Sequence, residues 1–117
     1  MLNVSRPLML FGAAMLTLWQ APVQATEVCA VDDTGTEVCL EQPANRIAAL
    51  SPGATELVWA AGAGEKVVAV VSFSDYPEAA TRVPSVGSHT RMDLERLIEL
   101  QPDLVIGWVT GNPPEQL

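Results

Sequence analysis

Hydrophobic and polar positions follow two regimes along this chain. From Leu8 to Leu18 the residues are apolar almost without a break, with Gly12 and Thr17 as the weaker members. From Arg46 onward apolar residues come in short, strand-length runs separated by stretches with helical spacing. Arg46-Ile47-Ala48-Ala49-Leu50 has the continuous apolar character of a parallel strand buried on both faces. Ser51 then offers an N-cap oxygen and Pro52 the pre-set φ of a first helical position. Ala54, Leu57, Val58 and Ala61 recur at i, i+3, i+4, i+7 and predict the face this helix lays on the sheet. Gly62 and Gly64 end it.

The pattern repeats. Lys66 to Val71 reads as a second strand, rich in β-branched residues. Ser72 to Pro77 is a loop, Pro77 to Val83 a short helical candidate, and Pro84 to Gly87 a short extended piece. Asp93 caps a helix whose apolar set is Leu94, Leu97, Ile98 and Leu100, with Glu95, Arg96 and Glu99 on the other side. Gln101-Pro102 stops it, and Asp103 to Trp108 is the third strand. Strands alternating with helices imply an α/β fold, a parallel sheet with flanking helices. Glu115 to Leu117 opens another helix, and three parallel strands are few for a stable domain. Residues 46–117 are therefore expected to be a partial lobe of a truncated chain.

Residues 1–25 read as a cleaved signal peptide. Arg6 supplies its positive start, the run to Leu18 is shorter than the ~20 apolar residues a spanning helix needs, and Val23 and Ala25 stand at −3 and −1 of the expected cleavage site. No cysteine lies at that point to make a lipoprotein. Residues 26–45 form a hairpin and lead-in, so the α/β lobe is preceded by a β-hairpin. If Asp33-Thr34-Gly35 is a three-residue loop with Gly35 left-handed, Cys29 and Cys39 face each other. A secreted chain favours a disulfide there over free thiols, and two thiols without a histidine make a poor zinc site.

Composition narrows the chemistry. The net charge of −8 lacks the basic face that nucleic acid requires. No dinucleotide glycine fingerprint, phosphate loop or nucleophile elbow is present, no spaced metal-ligand set exists, and His89 has no nucleophile partner. In open α/β sheets ligands lie outside the carboxyl ends of the strands. Three loops belong there, Ser51 to Glu56, Ser72 to Pro77 and Trp108 to Asn112, joined by Ser88 to Met92. They carry Phe73, Tyr76, His89 and Trp108, an aromatic set suited to a large, flat, partly apolar ligand. His89 is also a conceivable axial ligand to the metal of such a molecule.

The run Arg46 to Leu57 resembles the opening strand and helix of the iron-siderophore/cobalamin class of periplasmic binding proteins. Asp93 to Ile106 is similar to that family's helix-to-strand segment, and Ser74-Asp75-Tyr76-Pro77 to the loop after the second strand in its cobalamin-binding branch. The resemblance implies two α/β lobes with ligand held between them, periplasmic location, a monomer without a cofactor of its own, no covalent chemistry, and delivery of a corrinoid to the permease of an ABC importer. Haem or an iron-siderophore is the alternative cargo, with Arg91 as the local cation for an anionic siderophore. A secreted α/β enzyme with its active site elsewhere is the rival of another class. By the same resemblance Phe73 stands where the cobalamin branch has a tyrosine, keeping the ring without the hydroxyl. His89 replaces a tryptophan at the pocket rim, Trp108 matches a pocket tryptophan, and Glu95 matches a glutamate that docks on the membrane subunit.

Overall fold

The computed structural model describes residues 20–23 and 26–117; the body of the expected signal peptide lies outside them. Two antiparallel strands come first, β1 (Val28–Val31) and β2 (Glu37–Leu40). Their register pairs Cys29 with Cys39, and the two are joined by a disulfide, as the loop length predicts. Gly35 takes φ +81° in the turn. Asp32 organises that turn, its carboxylate accepting from the Thr34 hydroxyl and from the amides of Thr34 and Thr36. Those bonds, the Thr34 hydroxyl foremost, hold its pKa below the ordinary carboxylate value.

The remainder is the α/β unit. Strands β3 (Ile47–Ala49), β4 (Val67–Ala69) and β7 (Leu104–Ile106) form a parallel sheet in the order β4-β3-β7. The central strand is fully buried, which accounts for its unbroken apolar run. Helix α1 (Pro52–Ala60) follows β3 and helix α2 (Leu94–Glu99) precedes β7. Each pairing with β3 is parallel, so each return crosses over by way of intervening helical or 3₁₀ structure. Side chains of β3 alternate between two cores. Ile47 packs with Val58, Val67 and Val70 on the α1 side, and Ala48 and Leu50 with Ala69, Val71, Val86, Met92 and Leu97 on the α2 side.

Local signals act where they were read. Ser51 caps α1 by accepting from the Ala54 amide, and Gly62 at φ +83° follows its last turn. Asp93 caps α2 through the Arg96 amide. Three expectations change. The buried side of α1 is Ala54, Thr55 and Val58, whereas Leu57 is 71% exposed and Ala61 is exposed too. Thr55 goes inward because its hydroxyl is satisfied locally, donating to the Ser51 carbonyl or to Ser74 Oγ. In α2 only Leu97 is buried, Leu100 is half-buried and Ile98 faces out at 73%, since a helix of less than two turns touches the sheet along one line. Finally, Pro84 to Gly87 is extended as expected, whereas Ser88 to Met92, read as a rim loop, is part of a strand pair. Val70 bridges Ser85 in parallel, and β5 (Gly87–Ser88) and β6 (Arg91–Met92) form a small antiparallel ribbon. Glu78–Arg82 and Pro114–Gln116 are 3₁₀ turns. Among the described residues no helix is long and apolar enough to cross a membrane.

Candidate functional site

The site is built at the carboxyl rim of the parallel sheet, where β3, β4 and β7 each release a loop. After β3 the chain turns directly into α1 through Ser51, Pro52 and Gly53. After β4 it enters Ser72-Phe73-Ser74. Ser72 is tied down by its amide and hydroxyl, both donating to the Gly87 carbonyl at 2.7 and 3.0 Å. Ser74 is buried, its amide donating to the Val71 carbonyl and its hydroxyl paired with Thr55. With both neighbours held, Phe73 adopts φ +68° and projects outward, 84% exposed. A left-handed conformation costs a residue with a Cβ about 1–2 kcal/mol, and exposing a phenyl ring adds nothing to the core. Such an outlier, held by its surroundings, is the kind of strain that collects at ligand sites.

After β7 the chain forms a tight turn. The amides of Gly111 and Asn112 both donate to the Trp108 carbonyl. The Trp108 indole packs against Gly111, where an added Cβ would overlap the ring. His89, from the turn between β5 and β6, approaches Trp108 with ring centroids 5.6 Å apart and planes tilted by 41°, a favourable aromatic arrangement.

Phe73, His89 and Trp108 line one open cavity of about 880 Å³ together with Ser51, Pro52 and Gly53. The cavity continues down the flank of α1 past Leu57 and Ala61 to Ile106, and Asp33 of the hairpin tip reaches it. Leu57 and Ala61, which periodicity put on the buried face, thus form an apolar wall of this cavity. Tyr76 is not brought to it; it is 67% exposed, ahead of Pro77 in a cis peptide bond. Glu95 stands exposed in the first turn of α2. Arg91 is exposed on β6 and its side chain is not part of the lining.

Sequence reasoning missed Asn112. It is 3% exposed, and its carboxamide connects three segments of the rim. Nδ2 donates to the carbonyls of Leu50 and His89, both at 2.9 Å, and Oδ1 accepts from the Trp108 amide. Its two amide hydrogens meet two carbonyl oxygens and its oxygen meets an N–H, so the backbone dictates the orientation of the group. No local pattern announces such a residue, because its partners lie 62 and 23 positions away. The one cluster of close potential metal ligands among the described residues, Glu27 with Cys29 and Cys39, is closed by the disulfide.

Comparison with known proteins agrees with this fold. A family model described as periplasmic binding protein matches residues 47–115. A vitamin B12-binding protein of Vibrio cholerae serotype O1 is 48% identical over 75 residues, 64% of this chain and 27% of its own length. The crystal structure of the periplasmic vitamin B12 binding protein BtuF of Vibrio cholerae superposes with a TM-score of 0.61 at 47% identity, covering 63% of this chain and 29% of that one. The periplasmic heme-binding protein RhuT of Roseiflexus sp. RS-1 superposes with a TM-score of 0.58 at 40% identity, over 62% of this chain and 28% of that one. The chain spans about a quarter of the length of the curated relatives it matches.

Proposed function

The chain belongs to the periplasmic binding protein family, and from that membership we propose that it captures a corrinoid in the periplasm and hands it to the permease of an ABC importer. One observation carries the choice of ligand. The three loops whose aromatic side chains converge on one apolar cavity lie within the family match over residues 47–115, and 75 residues of this chain are 48% identical to a vitamin B12-binding protein. A corrin is a broad, nearly flat macrocycle with an apolar face and a polar amide fringe. Rings such as Phe73 and Trp108 take the face of such a molecule, and exposed peptide groups of the rim take its fringe. In this reading the described residues form one wall of a cleft, and a second lobe provides the opposite wall. Nothing is transformed; the cargo is bound and released. Glu95, exposed at the start of α2, is proposed as a docking contact with the permease, where a rim charge sets register and encounter rate more than affinity.

A second reading takes haem as the cargo. It is favoured by the 40% identity to the heme-binding protein and by His89, an imidazole in the cavity wall beside Trp108. In that reading His89 ligates the iron of the bound cargo.

Calorimetric titration of the natural protein with cyanocobalamin and with haem separates the two. Micromolar or tighter binding of cyanocobalamin alone, weakened about thirtyfold by Trp108→Ala as for a central aromatic contact, is the expected result. Binding of haem alone, with an absorption spectrum altered by His89→Ala, replaces the first reading with the second. Binding of neither sinks both.

A further inference from the structure

We propose that Asn112 is a positioning residue for ligand capture, its buried carboxamide clasping three loops of the carboxyl rim so that Trp108 is held ready against His89 before ligand arrives. The observations are geometric. The side chain bonds the end of β3 at the Leu50 carbonyl, the ribbon turn at the His89 carbonyl and the start of the last loop at the Trp108 amide. Leu50 is fully buried, so one end of the clasp is anchored in the core while the other two carry aromatic rings of the cavity. The residue is not itself among those lining the cavity. Its influence therefore passes through the rings it places.

The chemistry is specific to a carboxamide. Two donors and one acceptor are needed within the reach of one short side chain. A carboxylate in the same place presents no donor and sets a charge against two carbonyl oxygens. A leucine of similar shape leaves two carbonyls and one amide unpaired in a buried setting. The gain for binding is preorganisation: rings already in place lose less freedom when the ligand arrives. In its effect on affinity the inference rests on the corrinoid reading; in its effect on ring placement it does not.

The test uses the natural protein, with Asn112→Asp and Asn112→Ser as variants, at a temperature well below the unfolding midpoint of each. Without ligand, acrylamide quenching of the Trp108 emission is measured, the Trp108→Phe counterpart supplying the signal to subtract. Both variants are expected to expose Trp108 more than the parent does. With cyanocobalamin as probe, Asn112→Asp at about pH 7.5 is expected to bind about tenfold more weakly than the parent. Burial raises a carboxyl pKa, so near pH 5.5 a growing neutral fraction can again donate to one carbonyl and accept from Trp108. The affinity ratio of variant to parent then narrows toward acid, a change that general weakening of the lobe does not produce. Unchanged quenching overturns the proposal, as does a shift in quenching with unchanged affinity. Loss of the fold in both variants also overturns it, since Asn112 would then serve the lobe as a whole. If the parent itself does not bind cyanocobalamin while quenching shifts as expected, the corrinoid reading fails and the clasp stands.

Discussion

The two edges of the same parallel sheet are finished in opposite ways. At the amino edge polar groups close on one another. Asp103 accepts from the amides of Asn45 and Arg46, and the Arg46 guanidinium caps the end of α2 by donating to the carbonyls of Leu100 and Gln101. A cation on those terminal carbonyls also complements the helix dipole. The aromatic ring on that side, Trp59, is half-buried, packed on Gly64 and against the α1-side core. At the carboxyl edge the backbone is closed from within by one buried amide, and the side chains facing solvent include two rings, Phe73 at 84% exposure and Trp108 at 45%. One edge uses its polar groups to hold the fold; the other buries the amide that closes it and exposes apolar rings that do nothing for the fold. That asymmetry supports, independently of any relative, the proposal that the carboxyl edge is the working one.

The comparison breaks most visibly at Leu50, which joins the two roles. Its side chain is wholly buried in the α2-side core and its carbonyl anchors the rim through Asn112. Leu50→Ala is expected to lower stability by about 2–5 kcal/mol, read as the loss in a denaturant titration of the natural protein. A loss well under 1 kcal/mol would mean that the buried sheet is not the stabilising centre.

Phe73 is expected to move the other way. Phe73→Gly relieves a left-handed backbone worth about 1–2 kcal/mol and adds back some unfolded-chain entropy, for a net gain of roughly 0.5–1 kcal/mol in stability. The same change removes a ring from the cavity and weakens cyanocobalamin binding about tenfold. Thermal unfolding and calorimetry on one preparation read both effects. Lower stability together with unchanged affinity would make Phe73 a structural residue and erase the contrast between the edges.

Much of this was visible in the chain because the signals are local. Ser51, Pro52 and Gly62 bound α1 through contacts within a few residues. The loop from Asp33 to Gly35 sets the pairing of Cys29 with Cys39. The rule that strand ends collect ligands placed Phe73, His89 and Trp108 in one cavity, though not Tyr76. The failures have a common cause. Periodicity shows that α1 has an apolar face but not which neighbour that face meets, so Leu57 and Ala61 looked like core while the polar Thr55 took the buried place. Asn112 stood in a Gly-Asn-Pro-Pro turn, where an asparagine is ordinarily a turn former, and its bonds to Leu50 and His89 exist only once the sheet has assembled. Long-range polar satisfaction has no sequence period.

The smallest expected effect tests the amino edge. The amides of Asn45 first, then of Arg46, favour the charged form of Asp103 and hold its pKa below the ordinary value of 3.8. A pKa lowered on folding contributes stability that is present above the unfolded value and lost as pH falls through the folded one. Asp103→Asn should therefore unfold at a slightly lower temperature than the parent near neutral pH, with the gap closing below about pH 4 as the parent's carboxylate is protonated. Its affinity for cyanocobalamin should stay at the parent's value, because the bonds it loses lie at the end of the strands away from the rings. Melting curves across that pH range and one titration at neutral pH suffice. A gap that persists unchanged into acid removes the carboxylate's part in closing this edge. A weakened affinity would show that the two ends of the sheet are coupled, and the division of labour between them would have to be given up.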